Sequence, residues 1–345
     1  MGQTLSEPVI DKHSTTGGDE RYLYGASAMQ GWRISMEDAH TTLLKLGPNG
    51  ESAFLLSTTA TVARRRPILG EKAYSSGYYE DAIKSGFLSA DAHLREKPEM
   101  TNDSSGCTAV GVLLTKDGTA YCGNAGDSRC IISSKGRAIA LSTTTSPRTK
   151  LSSTASHRAN NSSLPAEKQV VTAHPDVIKH TITADDEFIV VACDGIWDCM
   201  TNQQVAQFVH AKVVEGKKLD QICEDMMDRC LASESELGGV GCDNMTVVIV
   251  AILNGKTEEE WYAHVKNVAE ETNMKSSPTL KKDYERNFEV SDLDIDADGT
   301  TSAIIKQALQ SDEEEAAGVD IRADALEGNV AAAAAAAVAK KSEDN

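Results

Sequence analysis

Three aspartates in this chain stand where an apolar run meets a tight turn, a placement that suits a hard metal ion. The run Phe188-Ile189-Val190-Val191-Ala192-Cys193 leads into Asp194-Gly195-Ile196-Trp197-Asp198, the pattern of a buried strand that delivers a carboxylate at its exposed end. Gly241-Cys242-Asp243-Asn244 precedes the apolar run Met245 to Leu253, and Gly126-Asp127-Ser128-Arg129 closes the run Thr119 to Ala125. An acid at the mouth of a buried sheet is costly unless something pairs with it, and hard divalent cations take oxygen ligands of this kind. Asp-Gly and Asp-Asn are also ordinary turn residues, so a plain strand-end turn serves any one segment equally well. Their repetition favours the metal. A fourth stretch, Tyr22 to His40, enters a Gly turn and then places Arg33, Glu37 and Asp38 within six residues. The planar Arg fork suits a phosphate or a carboxylate, and the two acids could serve a metal directly or through water. The plain alternative is an exposed Arg–Glu pair on a strand end.

Positioning these groups takes buried strands and covering helices, and the chain offers both. Gly106 to Leu114 reads as a strand, Lys116-Asp117-Gly118 as a hairpin turn and Thr119 to Ala125 as the return strand. Gly77 to Leu94 carries Tyr79, Ala82, Ile83, Phe87, Ala90 and Leu94 at helical spacing. Asn202 to Val214, Leu219 to Leu231 and a short Trp261 to Val268 are further predicted helices. Ser142 to Pro165 is rich in Ser, Thr and Asn without apolar periodicity, and reads as loop. Residues 1–270 are thus expected to form one domain whose first 20 or so residues are extended, with 271–345 an acidic, low-complexity, disordered tail. Within that tail Asp294-Ile295-Asp296-Ala297-Asp298-Gly299 mimics half an EF-hand loop, but the twelfth position is Ile305 where a bidentate Glu is required, so the site is rejected.

Charge narrows the partners. The net charge is −18, and residues 283–345 hold 16 acids against five bases, which argues against nucleic acid for either part. The eight Cys form no C-x-x-C pair and several lie within apolar runs, so they read as reduced core residues of a cytoplasmic and/or nuclear protein. No signal peptide or membrane-length apolar run is present. The opening Met1-Gly2-Gln3-Thr4-Leu5-Ser6 fits the N-myristoylation pattern at Gly2. A single acyl chain there would give only weak, reversible membrane association.

Arg33 with Ser35-Met36-Glu37-Asp38-Ala39-His40, Ser105-Gly106-Cys107-Thr108-Ala109, Asn124-Ala125-Gly126-Asp127-Ser128-Arg129, Ala192-Cys193-Asp194-Gly195-Ile196-Trp197-Asp198 and Gly238-Gly239-Val240-Gly241-Cys242-Asp243-Asn244-Met245-Thr246 together resemble the metal-dependent serine/threonine protein phosphatases of the PP2C type. The look is that of the fungal members, which share Met-Gly-Gln-x-Leu-Ser at the start and an ending near Glu260-Trp261-Tyr262. The resemblance implies an α+β fold, a sandwich of two antiparallel sheets flanked by helices, with two Mg2+ or Mn2+ ions in a cleft at one end. It implies a monomer acting on phosphoserine and phosphothreonine proteins, in which a metal-bridging water or hydroxide attacks phosphorus. Carried over by motif, Arg33 would hold the substrate phosphate, and Asp194 and Asp243 would bind metal directly. Glu37 and Asp38 would hold metal-bound waters, and Asp127 would serve a weaker third ion.

Two segments depart from that pattern. The family's Tyr-Asp-Gly-His-Gly-Gly, whose Asp bridges both metals and whose His is implied as proton donor, should follow Phe54; the chain has Ser57-Thr58-Thr59-Ala60-Thr61-Val62-Ala63-Arg64-Arg65-Arg66 instead. After Leu141, Asp-His-Lys-Pro is replaced by Ser142-Thr143-Thr144-Thr145-Ser146-Pro147. A single account covers both. Ser57 to Val62 can be encoded UCU-ACG-ACG-GCC-ACG-GUG, with a G following from Ala63; read two nucleotides later this gives Tyr-Asp-Gly-His-Gly-Gly. Thr143 to Lys150, as ACG-ACC-ACA-AGC-CCC-AGA-ACG-AA, gives Asp-His-Lys-Pro-Gln-Asn-Glu at the same offset. The segments therefore read as out-of-frame translation, and local disruption of the fold is expected at 57–70 and 142–166, with poor stability and no turnover. The competing reading is an evolved, non-catalytic phosphoprotein-binding relative that keeps Arg33.

Overall fold

The computed structural model describes residues 4–47, 50–58, 71–95, 107–143, 173–234, 239–276 and 278. The chain divides into a unit spanning Met1–Leu280 and a second, Lys281–Asn345, which lies wholly outside the described residues. Gly2, the segment 59–70, residues 144–165 and the EF-hand mimic are likewise outside them.

Two antiparallel sheets face each other, as the sandwich expectation required. The first comprises β1 (Thr4–Gly18), β2 (Tyr22–Arg33), β7 (Arg129–Ser134), β8 (Arg137–Ala140), β10 (Asp186–Ala192) and β11 (Met245–Ile252), in the spatial order β1-β2-β11-β10-β7-β8. The second runs β3 (Ala39–Leu46), β4 (Ser52–Thr58), β5 (Ala109–Leu114), β6 (Thr119–Ala125), β9 (Asp176–Thr181) in that order. The central strands β10 and β11 are buried at every position because both their faces are covered, and all but Asp186, Glu187 and Thr246 are apolar. Along β10, Phe188, Val190 and Ala192 join the layer of helices while Ile189 and Val191 join the core between the sheets; along β11, Met245, Val247 and Ile249 alternate with Val248 and Val250 in the same way.

Six helices are described: α1 (Glu71–Ser75), α2 (Tyr79–Arg95), α3 (Asp194–Trp197), α4 (Asn202–Val214), α5 (Leu219–Cys230) and α6 (Glu258–Glu271). The last three cover the outer face of the first sheet through residues such as Phe208, Met226 and Trp261. On the second sheet, α2 lays Ile83 and Phe87 on Phe54 and Leu113. Trp261 is fully buried, and its Nε1 donates to the Glu187 carbonyl at 2.8 Å. Trp261→Ala is expected to cost about 3–5 kcal/mol, read as a lowered urea midpoint.

Several expectations shift. Helix α6 begins three residues before Trp261 because Thr257 and Glu260 form a reciprocal capping box, and it ends at Glu271, past the boundary expected at 270. Helix α2 starts at Tyr79 rather than Gly77, whose φ of 78° is left-handed. Ser57 and Thr58, placed in a disrupted segment by the sequence, instead complete β4 as buried residues. At the other departure Ser142 is also buried, its Oγ accepting from Cys130 N at 2.9 Å. All eight cysteines are free and six are buried. Among the described residues no helix is long and apolar enough to cross a membrane.

Candidate metal centre

Strand pairing brings the expected site residues to one end of the sandwich. β10 and β11 are neighbours, with Ala192 opposite Val247, so Asp194 just beyond β10 and Asp243 just before β11 emerge side by side. Cys193 and Thr246 fasten that junction, Cys193 N donating to Thr246 O and Thr246 N to Cys193 Sγ, each at 3.2 Å. β2 pairs with the other edge of β11, and Arg33 is its final residue. Asp127 sits in the turn between β6 and β7, and Asp38 directly precedes β3. The close approach explains Gly195: a Cβ there would stand 2.2 Å from the carbonyl oxygen of Asn244. The Trp197 indole fixes the same turn by donating to Ala192 O at 2.8 Å.

Four carboxylates feel one another at this end. Burial, then the neighbouring Asp243, Asp127 and Asp38, push the Asp194 carboxyl up to about 7. Asp38 is pushed up to about 6, first by burial and also by Asp243, while Arg33, Cys193 and Thr246 temper the rise. Neither Cys193 nor Thr246 closes a hydrogen bond to Asp38 Oδ2, which is buried without a partner; Thr246 Oγ1 is in the same condition. Asp243 forms an ion pair with Arg33, whose side chain is 42% exposed.

As a donor set these residues fit a hard divalent cation. They offer oxygen alone and a surplus of negative charge, with one buried carboxylate oxygen unclaimed. A closed shell is lacking: among the described residues no three Asp, Glu, His or Cys side chains stand in a metal-holding group. The segment in which the resemblance expects a further carboxylate is the one that departs from pattern. β4 ends at Thr58, paired with Ala39 and thus one residue from Asp38, and Ser57 Oγ is buried with no partner.

Asp38, Asp127, Asp194 and Asp243 are therefore gathered, with Arg33 at the rim. Glu37 is placed differently: its side chain is exposed and accepts from Ser35 Oγ at 2.9 Å, while its backbone N donates to Asn244 Oδ1 at 2.8 Å. Sequence reading gave no role to Asn244, Cys193 or Thr246. The signal for Asn244 was its position directly after a predicted ligand at a strand start.

The family model described as "Protein phosphatase 2C" matches residues 22–151 and 155–237, more than half of the chain. "Protein phosphatase 2C homolog 2" of Schizosaccharomyces pombe is 44% identical over 301 residues, covering 76% of this chain and 81% of its own length. The protein of the same name from Hypocrea jecorina is 40% identical over 348 residues, covering 86% of this chain and 79% of its own length. Among solved structures, the serine-threonine phosphatase 2C of Toxoplasma gondii aligns with a TM-score of 0.52 at 16% identity, over 70% of this chain and 99% of that one, a likeness of fold.

Proposed function

The chain belongs to the protein phosphatase 2C family of metal-dependent serine/threonine protein phosphatases, and from that premise we propose that its carboxylate cleft is a phosphatase centre for phosphoserine and phosphothreonine proteins whose turnover is interrupted at residues 57–67. The observation that carries this reading is the convergence of Asp38, Asp127, Asp194 and Asp243, where burial and neighbouring carboxylates push Asp194 up to about 7 and Asp38 up to about 6.

Bound Mg2+ or Mn2+ would supply Lewis-acid activation of water and neutralise charge on the phosphoryl oxygens. In this reading Asp194 and Asp243 would hold metal directly, Asp38 and Glu37 would hold it through water, and Asp127 would serve a weaker third ion. The protein's own groups prepare the site in three ways. Arg33 presents a planar two-donor fork suited to a phosphate. Its present partner is Asp243 in a partly exposed pair worth about 0.2–1 kcal/mol, so a phosphate dianion displaces it at small cost. The buried strand ends keep the carboxylates poorly hydrated, which raises the free energy released when a cation neutralises them.

The leaving serine or threonine alkoxide needs a proton, and the His that the family uses for this is absent from 57–66. Loss of a general acid alone lowers the rate about 10²–10⁴-fold, and the bridging carboxylate is lost with it. The purified chain supplied with Mn2+ is therefore expected to release no phosphate from a phosphothreonine peptide above the protein-free blank. Release that depends on both Mn2+ and Asp194 would overturn the interruption and leave an active phosphatase.

A further inference from the structure

We infer that Asn244 is the positioning residue of this centre, a buried clamp that fixes the phosphate-binding arginine's segment against the two strand ends bearing the metal ligands; the inference rests on the phosphatase reading above. Asn244 is 5% exposed, and both polar atoms of its side chain are bonded to backbone groups of residues 30–37. Nδ2 donates to Gln30 O at 2.7 Å and to Ser35 O at 3.0 Å, and Oδ1 accepts from Glu37 N at 2.8 Å. These three backbone partners bracket Arg33 and lead directly into Asp38. An amide is the side-chain group that offers two donors and an acceptor on one small plane, and here all are used.

The backbone of the same residue holds the other two elements. Asn244 N donates to Asp243 Oδ1 at 2.7 Å, which sets the rotamer of that carboxylate. Asn244 O accepts from Cys193 Sγ at 3.4 Å and packs on Gly195, so it touches both neighbours of Asp194. Gly31 closes the arrangement from below. Its φ is 67°, and a Cβ on it would lie 2.7 Å from Asp243 O. One residue thus joins three segments that are 30–38, 193–195 and 243–244 in the sequence, and loss of its side chain would free the first to move relative to the others. No direct contact with a cation or a phosphate is needed for this role. Groups that orient metal ligands commonly influence affinity about 10–100-fold when removed.

The test measures Mn2+ affinity of the full-length chain by the free-Mn2+ EPR signal, alongside far-UV circular dichroism. Asn244→Ala is expected to raise the Mn2+ dissociation constant about 10–100-fold at a temperature where its dichroism matches the parent chain. Gly195→Ala drives a methyl against Asn244 O and removes no ligand, so it serves if Asn244→Ala does not fold; it is expected to weaken Mn2+ in the same direction. Unchanged affinity in a folded Asn244→Ala chain overturns the clamp while leaving the phosphatase reading intact. A parent chain that binds Mn2+ no better than Asp194→Asn overturns the metal centre itself, and the clamp with it.

Discussion

A chain carrying Thr58→Tyr, Thr59→Asp, Ala60→Gly, Thr61→His, Val62→Gly and Ala63→Gly is expected to hydrolyse a phosphothreonine peptide in the presence of Mn2+, where the unaltered chain does not. The replacement spells the wording obtained when Ser57 to Ala63 is read two nucleotides later. Its geometry is favourable because β4 ends at Thr58 opposite Ala39, which aims the strand end at the segment carrying Asp38. A carboxylate delivered there completes a donor set that now lacks a closed shell. Omitting only Thr61→His should lower the rate about 10²–10⁴-fold, and thereby separate the proton donor from the metal bridge. Phosphate release with and without Mn2+ reads both steps. A fully substituted, folded chain that stays silent would show that the interruption lies elsewhere. Retained phosphopeptide binding in that silent chain would then favour an evolved binding protein.

The fold was most legible where the side-chain pattern is dictated by burial on two sides. The apolar runs of β10 and β11 and the helical spacing from Asn202 to Val214 could be read directly, since each is fixed by a covering layer rather than by local preference. Strands β3, β7, β8 and β9 went unread. Each is short or partly exposed, such as Asp176–Thr181 with no fully buried position, so the alternation that marks a strand is weak. At the site, the acids Asp194, Asp243 and Asp127 were visible because a carboxylate at the end of an apolar run is conspicuous. What joins them was not. Asn244 works through the backbone carbonyls of Gln30 and Ser35, 214 and 209 residues away in sequence, and a side chain bonded to backbone leaves no complementary residue type to search for.

The crowding of acids yields a second large effect, in which removing a ligand stabilises the protein. With no cation bound, Asp194 titrates at about 7 and Asp38 at about 6, both above the ordinary 3.8. The native state therefore holds protons that the unfolded chain has released. Stability from this source is complete below about pH 4 and is lost as the pH climbs through about 6 and about 7. Asp194→Asn removes the charge while its Oδ1 can still accept from Gly195 N, as the carboxylate does at 3.0 Å. In chelator at pH 8 the variant is expected to exceed the parent chain by on the order of 2–4 kcal/mol, the lower figure reflecting the partial exposure of the carboxyl. At pH 3 this advantage should vanish, because the parent's Asp194 is then mostly protonated in both the native and the unfolded state. Adding Mn2+ at pH 8 should reverse the order: the parent gains stability by mass action and the variant gains little. Urea unfolding at the two pH values, with chelator and with Mn2+, gives the comparison. A variant less stable than its parent at pH 8 in chelator would mean that Asp194 is already neutralised within the fold, and that its burial is structural rather than held ready for a cation.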